Sequence, residues 1–158
     1  TPNPHPATTP VTVEPAQIAP TANPPAAAST APVPIKLAEK KDLPAGQITI
    51  DEAKALFDRG QADQNTFFLD ARKVEDFTAG HVSGAIRLDT AKFAAGDPVE
   101  LGLIPRTAFV VVYCNGGHCD ESENVAKRMD GSGYKLVYVM HDGFPGWKAM
   151  GHPIETGE

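Results

Sequence analysis

The sequence has few cysteines and no long apolar run. Cys114 and Cys119 are its two cysteines, too few for the disulfide framework of a small secreted domain, so the pair indicates reactive thiols instead. No apolar run approaches the roughly 18 residues that a membrane-spanning helix needs. The sequence therefore predicts neither a disulfide scaffold nor a membrane-spanning chain.

Aromatic residues are missing from residues 1–45, where eleven of the fifteen prolines lie among Ala and Thr. Ordering a chain costs about 1–2 kcal/mol per residue, and this segment has too little apolar mass to offset that cost. We expect residues 1–45 to be an extended tail or linker with polyproline character. Residues 46–158 carry all seven Phe, the Trp and the three Tyr, which is enough for one compact domain.

Positive charge is scarce, because 14 basic residues stand against 20 acidic ones and the formal net charge is −6. Three lysines and three acidic residues cancel within residues 1–45, so the whole excess belongs to residues 46–158. An acidic domain repels the phosphate backbone of nucleic acids. We therefore expect no nucleic-acid partner.

The sequence begins with Thr rather than Met. A Pro/Ala/Thr-rich linker at this place is typical of the spacer that follows a signal peptide or a membrane anchor. We therefore expect a periplasmic or otherwise extracytoplasmic location, with a membrane tether upstream of Thr1 as one arrangement. A cytoplasmic protein with a trimmed start is the alternative. The tail can also run along a larger protein assembly, which would make it the contact with a partner.

Strand-like and helix-like patterns alternate from residue 46 onward. Residues 110–113 are four consecutive β-branched or aromatic residues without polar alternation, typical of a strand buried on both faces of a parallel sheet. Strands that alternate with helices predict an α/β fold with helices on both faces of the sheet. The predicted strands are residues 48–50, 66–70, 86–88, 107–113 and 136–140, and the predicted helices are residues 51–60 (capped by Asp51 and ended by Gly60), 74–77, 120–129 and 144–150. Residues 89–105 are predicted to be a loop with one helical patch at 91–94.

The predicted central strand ends at Cys114, at the edge where open parallel sheets bind their ligands. Gly116 and Gly117 give the following turn the freedom to curl. Backbone N–H groups of the curl and the positive end of the next helix then favour the thiolate form of Cys114. The alternative is a small buried cysteine that only fills the core.

Three separated segments resemble the rhodanese family, in the same order as in that family. The first is Phe-Leu-Asp-Ala-Arg at 68–72 with residues 77–86, and the third is Asp-Gly-Phe-Pro-Gly-Trp at 142–147 with residues 151–154. The second is the loop of Cys114, Asn115, Gly116, Gly117, His118 and Cys119. The resemblance covers nearly all of residues 46–158. It implies the three-layer rhodanese-like fold, with a mostly parallel five-stranded sheet and helices on both faces.

The same resemblance implies a sulfurtransferase or persulfide carrier. Cys114 is the position that matches the family's catalytic cysteine, which takes up a sulfane sulfur as a persulfide and passes it to a thiol acceptor. The donor would be a small sulfur compound or a protein persulfide, and no cofactor or metal is implied. Matches to family signature positions that we interpret as structural are Asp70, Arg72, His81 and Trp147.

The loop departs from family members that use thiosulfate. Those members often carry Arg directly after the cysteine and a basic or hydroxyl residue at the end of the loop, where this sequence has Asn115 and Cys119. Asp120 and Glu121 follow and repel sulfur oxyanions, so we expect poor turnover of thiosulfate. Related phosphatase and arsenate-reductase domains need a longer loop closed by Arg, which this sequence lacks.

Cys119 suggests a second chemistry, because a thiol on the far side of the loop can resolve a persulfide or sulfenate on Cys114 as a disulfide. The spacing resembles a subset of envelope rhodanese-like proteins with a Cys-x-Gly-Gly-x-Cys-x-x-Ser pattern, completed here by Ser122. Alternatively, Cys119 is a buried residue at the helix start. His118 is either a proton donor in the loop or merely solvated. A zinc site of these two cysteines and His118 lacks a fourth ligand.

Three functions follow from this reading. They are a sulfurtransferase or persulfide carrier, a thiol–disulfide redox protein that uses Cys114 and Cys119, and a non-catalytic subunit that binds a larger assembly through a rhodanese fold.

Overall fold

The computed structural model describes residues 46–117 and 119–157. Four α-helices lie in this part of the chain: α1 (Ile50–Asp63), α2 (Val74–Ala79), α3 (Glu121–Gly131) and α4 (Gly143–Ala149). The strands of the same part are β1 (Gln47–Ile48), β2 (Thr66–Asp70), β3 (His81–Val82), β4 (Ile86–Arg87), β5 (Phe109–Tyr113), β6 (Val137–Met140) and β7 (Ile154–Glu155). None of the described helices is long and apolar enough to cross a membrane.

Five strands form one parallel sheet in the order β1-β6-β5-β2-β4. The central strand β5 is buried on both faces, as its sequence predicts. Val110 and Val112 pack into a core with α3, whereas Val111 and Tyr113 pack into a second core with α1 and α4. The predicted α/β fold with a five-stranded parallel sheet is therefore confirmed.

Helix α1 is longer than predicted at both ends. It begins after Thr49, whose side chain and that of Glu52 form a reciprocal capping box, so the prediction of Asp51 as the cap is wrong. The helix also continues through Gly60 to Asp63. A Cβ at Gly60 would lie 2.8 Å from the Cβ of Thr66, so the glycine lets α1 approach β2 closely rather than ending the helix.

The second, two-stranded sheet and a 3₁₀ turn were not predicted. Strands β3 and β7 pair antiparallel, with His81 opposite Glu155. Ser83 donates its hydroxyl to the Glu155 carboxylate over 2.7 Å, which lowers the pKa of that carboxyl group together with the N–H of Gly84. The 3₁₀ turn Val99–Leu103 lies inside the predicted loop 89–105. These elements are too short to show the periodic spacing of apolar residues from which strands and helices are predicted.

Asp70 and Arg72 form a buried ion pair at the end of β2. Arg72 is 4% exposed and Asp70 is fully buried, and the guanidinium donates to both carboxylate oxygens over 2.5–3.1 Å. Burial lowers the pKa of Arg72, but the hydrogen bonds and charge of Asp70 outweigh that effect and leave it above its usual value. Arg72 also donates to the carbonyl oxygen of Gly80 at 2.6 Å, which ties β2 to the segment before β3.

Replacing Arg72 with Gln should destabilise the domain strongly, because it leaves the Asp70 carboxylate buried without its counter-charge. Breaking a buried pair in this way costs about 3–5 kcal/mol, measured as the free energy of unfolding in urea. Arg59→Gln is the matched control, since Arg59 pairs with Asp63 on the surface and its side chain is 47% exposed. That change should cost less than about 1 kcal/mol. Equal losses in the two variants would contradict the prediction.

Candidate functional site

Cys114 lies at the carboxyl end of β5, in the middle of the parallel sheet, and is only 2% exposed. Two backbone hydrogen bonds hold the strand end in place. The Ala71 N–H donates to the Tyr113 carbonyl at 2.9 Å, and the Phe144 N–H donates to the Cys114 carbonyl at 2.8 Å. The backbone of Cys114 is therefore held between the end of β2 and the start of α4, at the edge where a parallel sheet presents its ligand site.

The loop after Cys114 packs backbone against backbone with the turn that begins α4. Gly116 and Gly143 both have left-handed φ angles, +77° and +61°. A Cβ at Gly143 would lie 2.5 Å from the Cys114 carbonyl oxygen and would also overlap the nitrogen of Gly116. A Cβ at Gly116 would overlap the carbonyl group of Asp142. Only glycine fits at either position, so these two residues define the curl of the loop.

The two cysteines are joined by a disulfide across this loop, with Cα atoms 6.5 Å apart. Cys114 Sγ lies 3.3 Å from the hydroxyl oxygen of Ser122 in the first turn of α3. Ser122 is buried, with 2% exposure. Cys119 is half-buried, and its Sγ lies 3.9 Å from Oε2 of Glu121. Cys114 Sγ also lies 3.5 Å from the Cys119 carbonyl oxygen. The sulfur of Cys114 therefore has a hydroxyl donor beside it and no charged group among its described partners, whereas the sulfur of Cys119 faces a carboxylate.

Charge around the loop is negative. Its described residues carry no basic side chain, and Asp120 and Glu121 follow them directly. The observed donor beside Cys114 Sγ is the Ser122 hydroxyl, in the first turn of α3, where the helix dipole also favours an anion. This arrangement suits a single compact thiolate better than a sulfur dianion, which needs cationic partners.

The structure places the other predicted loop residues in different surroundings. Asn115 and Gly117 are exposed and Gly116 is half-buried, while His118 lies outside the described residues. No cluster of three or more His, Cys, Asp or Glu that could hold a metal ion occurs within residues 46–117 and 119–157.

The predicted signature residues are all buried. His81 stacks on Phe77 with ring centroids 3.8 Å apart, and its Nδ1 lies 2.9 Å from the Phe77 carbonyl oxygen. Trp147 is fully buried and donates its indole N–H to the Pro153 carbonyl at 2.9 Å. The guanidinium of Arg72, beside Asp70, lies 4.3 Å from the ring centroid of Phe144. The Phe144 N–H in turn donates to the Cys114 carbonyl oxygen. The Asp70–Arg72 ion pair therefore supports the position of Cys114 through Phe144.

Sequence reasoning left three contributors out of the predicted site. The sequence indicates Ser122 only as part of a spacing pattern, Glu121 only as a source of repulsion, and Gly143 only as part of the closing segment. A small hydroxyl residue three positions after Cys119 is the signal that could have identified Ser122. The contact between Gly143 and Gly116 joins residues far apart in the sequence, so no local pattern reveals it.

Comparisons with known proteins agree with this architecture. A family model described as "Rhodanese-like domain" matches residues 49–150. The thiosulfate sulfurtransferase GlpE of Pseudomonas putida is 32% identical over 90 residues, which cover 57% of this chain and 76% of that protein. The uncharacterized protein YibN of Escherichia coli is 28% identical over 111 residues, covering 70% of this chain and 73% of that one.

Solved structures show the same fold. The solution structure of the rhodanese-like domain from the Anabaena protein Alr3790 superposes with a TM-score of 0.57 at 22% identity. It covers 70% of this chain and 79% of that one.

Gly143→Ala should disrupt the loop far more than Gly117→Ala. Both residues have left-handed φ angles, +61° and +65°, so both substitutions carry the backbone cost of about 1–2 kcal/mol. Only the Gly143 methyl group meets neighbouring backbone, since nothing lies within 4 Å of a Cβ at Gly117. Overlap should add about 1–3 kcal/mol. Urea unfolding of the two variants measures the difference, and equal losses would show that the close approach is not a constraint.

Ser122→Ala should make Cys114 less reactive, because it removes the hydroxyl donor 3.3 Å from the sulfur. A hydrogen bond to a charged group contributes about 1.5–3 kcal/mol, so the alkylation rate at neutral pH should fall about tenfold or more. We would follow iodoacetamide modification as a function of pH in a Cys119→Ser background, where only Cys114 reacts. Ser132→Ala is the matched control, since that hydroxyl donates to Asp97 instead. An unchanged pH profile would count against the role of Ser122.

Proposed function

Since the chain belongs to the rhodanese-like domain family, we propose that it is a sulfurtransferase or persulfide carrier that moves sulfane sulfur through Cys114. The observation that carries the proposal is the position of the Cys114 sulfur, at the end of the central strand and 3.3 Å from the buried Ser122 hydroxyl. A cysteine placed only to fill the core needs no such partner. Its relative GlpE is named as a sulfurtransferase, which supports the same class of reaction.

Uptake of sulfur would proceed by thiol–persulfide exchange on the reduced protein. The Cys114 thiolate attacks the outer sulfur of a donor R–S–SH, the donor's S–S bond breaks, and R–S⁻ leaves while Cys114 becomes a persulfide. An acceptor thiolate then attacks the outer sulfur of that persulfide and the Cys114 thiolate leaves. The Ser122 hydroxyl would donate a hydrogen bond to Cys114 Sγ when it carries negative charge.

We propose a persulfide, on a small thiol or a protein, as the donor rather than a sulfur oxyanion. Thiosulfate is a dianion and would meet Asp120 and Glu121 at the start of α3. The described loop residues offer no basic side chain to offset that repulsion. GlpE is named for thiosulfate, and at 32% identity its donor need not carry over to this loop.

Thiol–disulfide exchange is a second candidate function, because Cys114 and Cys119 are already joined in a disulfide. We place the chain with envelope-type family members that have a Cys-x-Gly-Gly-x-Cys loop. The spacing of the two cysteines supports this placement, and so does the disulfide, since disulfides persist mainly in oxidising compartments.

The uptake of sulfur should depend on Cys114 and on the class of donor. We would reduce the full chain, remove the reductant, and measure intact mass after incubation with glutathione persulfide, 3-mercaptopyruvate or thiosulfate. The Cys119→Ser variant, which cannot form the disulfide, should gain one sulfur from the persulfide and much less from thiosulfate. Cys114→Ser should gain none.

The outcome separates the alternatives. A sulfur gain that survives Cys114→Ser would contradict the assignment of this cysteine. No gain with any donor would remove the sulfurtransferase proposal and favour disulfide exchange or a binding role. Equal loading by thiosulfate and by persulfide would refute the proposed donor class alone.

A further inference from the structure

We propose that Cys119 resolves the persulfide on Cys114, so that the domain reduces sulfane sulfur to hydrosulfide with its own pair of thiols. This inference rests on the proposed function, because Cys114 must first be loaded. It goes further in naming the resolving thiol, the product and the electron source of the reaction.

The loop brings the two cysteine sulfurs within bonding distance of each other. Cys114 and Cys119 are joined in a disulfide across the four residues between them, and their Cα atoms lie 6.5 Å apart. The curl set by Gly116 therefore lets Cys119 Sγ reach Cys114 Sγ itself. In a persulfide, Cys114 Sγ is the inner sulfur. Attack on this atom, and not on the outer sulfur, releases hydrosulfide.

Burial separates the internal thiol from external ones. Cys114 is only 2% exposed, whereas Cys119 Sγ is already within bonding reach of Cys114 Sγ, so the internal thiol has the advantage over a thiol from solution in attacking the inner sulfur. The outer sulfur of a persulfide arrives from an external donor, so an external acceptor can reach it by the same route. Cys119 approaches from within the loop. Cys119 therefore releases the sulfur as hydrosulfide by attacking the inner sulfur, whereas an external thiol takes up the outer sulfur and carries it away.

The surroundings of the two sulfurs assign their roles. Cys114 Sγ has a hydroxyl donor 3.3 Å away, which favours its thiolate and hence its attack on a donor. Cys119 Sγ has the Glu121 carboxylate 3.9 Å away, and that negative charge disfavours the Cys119 thiolate relative to the Cys114 thiolate, so Cys119 reacts second. Cys114 is therefore the thiol that is loaded first, and Cys119 is the thiol that resolves it.

The reaction balances in atoms and electrons. The donor R–S–SH transfers its outer sulfur to Cys114 and leaves as R–S⁻. Cys119, as its thiolate, attacks Cys114 Sγ, the bond to the outer sulfur breaks, and HS⁻ leaves as the Cys114–Cys119 disulfide forms. The transferred sulfur gains two electrons and the two cysteines lose two.

An external dithiol protein must return these electrons. Its thiolate would attack the half-buried Cys119 sulfur, which is the more accessible side of the disulfide, and Cys114 would leave as a thiolate beside Ser122. Its second thiol then resolves the mixed disulfide and regenerates both protein thiols.

A single-turnover experiment tests the inference. The reduced full chain would be mixed under anaerobic conditions with one equivalent of glutathione persulfide, and both free hydrosulfide and intact protein mass would be followed. Wild type should release close to one equivalent of hydrosulfide and lose two hydrogens as the disulfide forms. Cys119→Ser should retain the added sulfur and release hydrosulfide at least tenfold more slowly. Cys114→Ser should do neither.

Several results would overturn the inference. If wild type accumulates the persulfide as Cys119→Ser does, Cys119 does not resolve it, although the proposed function stands. Equal release of hydrosulfide by the two proteins would assign it to the donor's thiol instead. Failure of every variant to load would remove both proposals. Cys119→Ala, checked by urea unfolding, guards against a folding defect in the serine variant.

Discussion

The Cys114 loop keeps its curl because the turn at Asp142 and Gly143 lies directly against the backbone of Gly116. No side chain separates the two segments, and the Phe144 N–H completes the contact by donating to the Cys114 carbonyl. Phe144 is supported in turn by the guanidinium of Arg72, which the buried Asp70 holds in place. The position of the reactive sulfur thus depends on a backbone contact that a single methyl group would disturb.

Much of this architecture is visible in the sequence. The uninterrupted apolar run of β5 predicts a strand with a core on each face, and Val111 and Val112 indeed face opposite cores. Cys114 at the end of that strand marks the site without any knowledge of tertiary structure. Elements that depend on contacts between distant residues cannot be predicted from a local pattern in this way. Strands β3 and β7 are two residues long and exist only because they pair with each other. Gly60 lies inside α1, where it permits a close approach to Thr66 that no local pattern reveals.

The site shows the same division between local and long-range information. Gly116 and Gly117 predict that the loop curls, and the acidic residues at the start of α3 predict that its surroundings are negatively charged. What the sequence could not show is which groups meet the sulfur atoms. Ser122 reaches Cys114 because α3 begins at Glu121, and a shift of one residue in that start would turn the hydroxyl away. The predicted location outside the cytoplasm and the role of residues 1–45 in binding a partner stay predictions.

The short span of the disulfide has a consequence for folding. A crosslink stabilises a protein largely by restricting the unfolded chain, and the effect grows with the length of the closed loop. The bond between Cys114 and Cys119 has a sequence separation of 5, so it removes little of the freedom of the unfolded chain, about 2 kcal/mol against nearly 5 for a loop of about 100 residues. The core clusters on both faces of the sheet lie largely outside this ring. The domain can therefore fold before its thiols meet an oxidant, and its redox state can change while the fold persists.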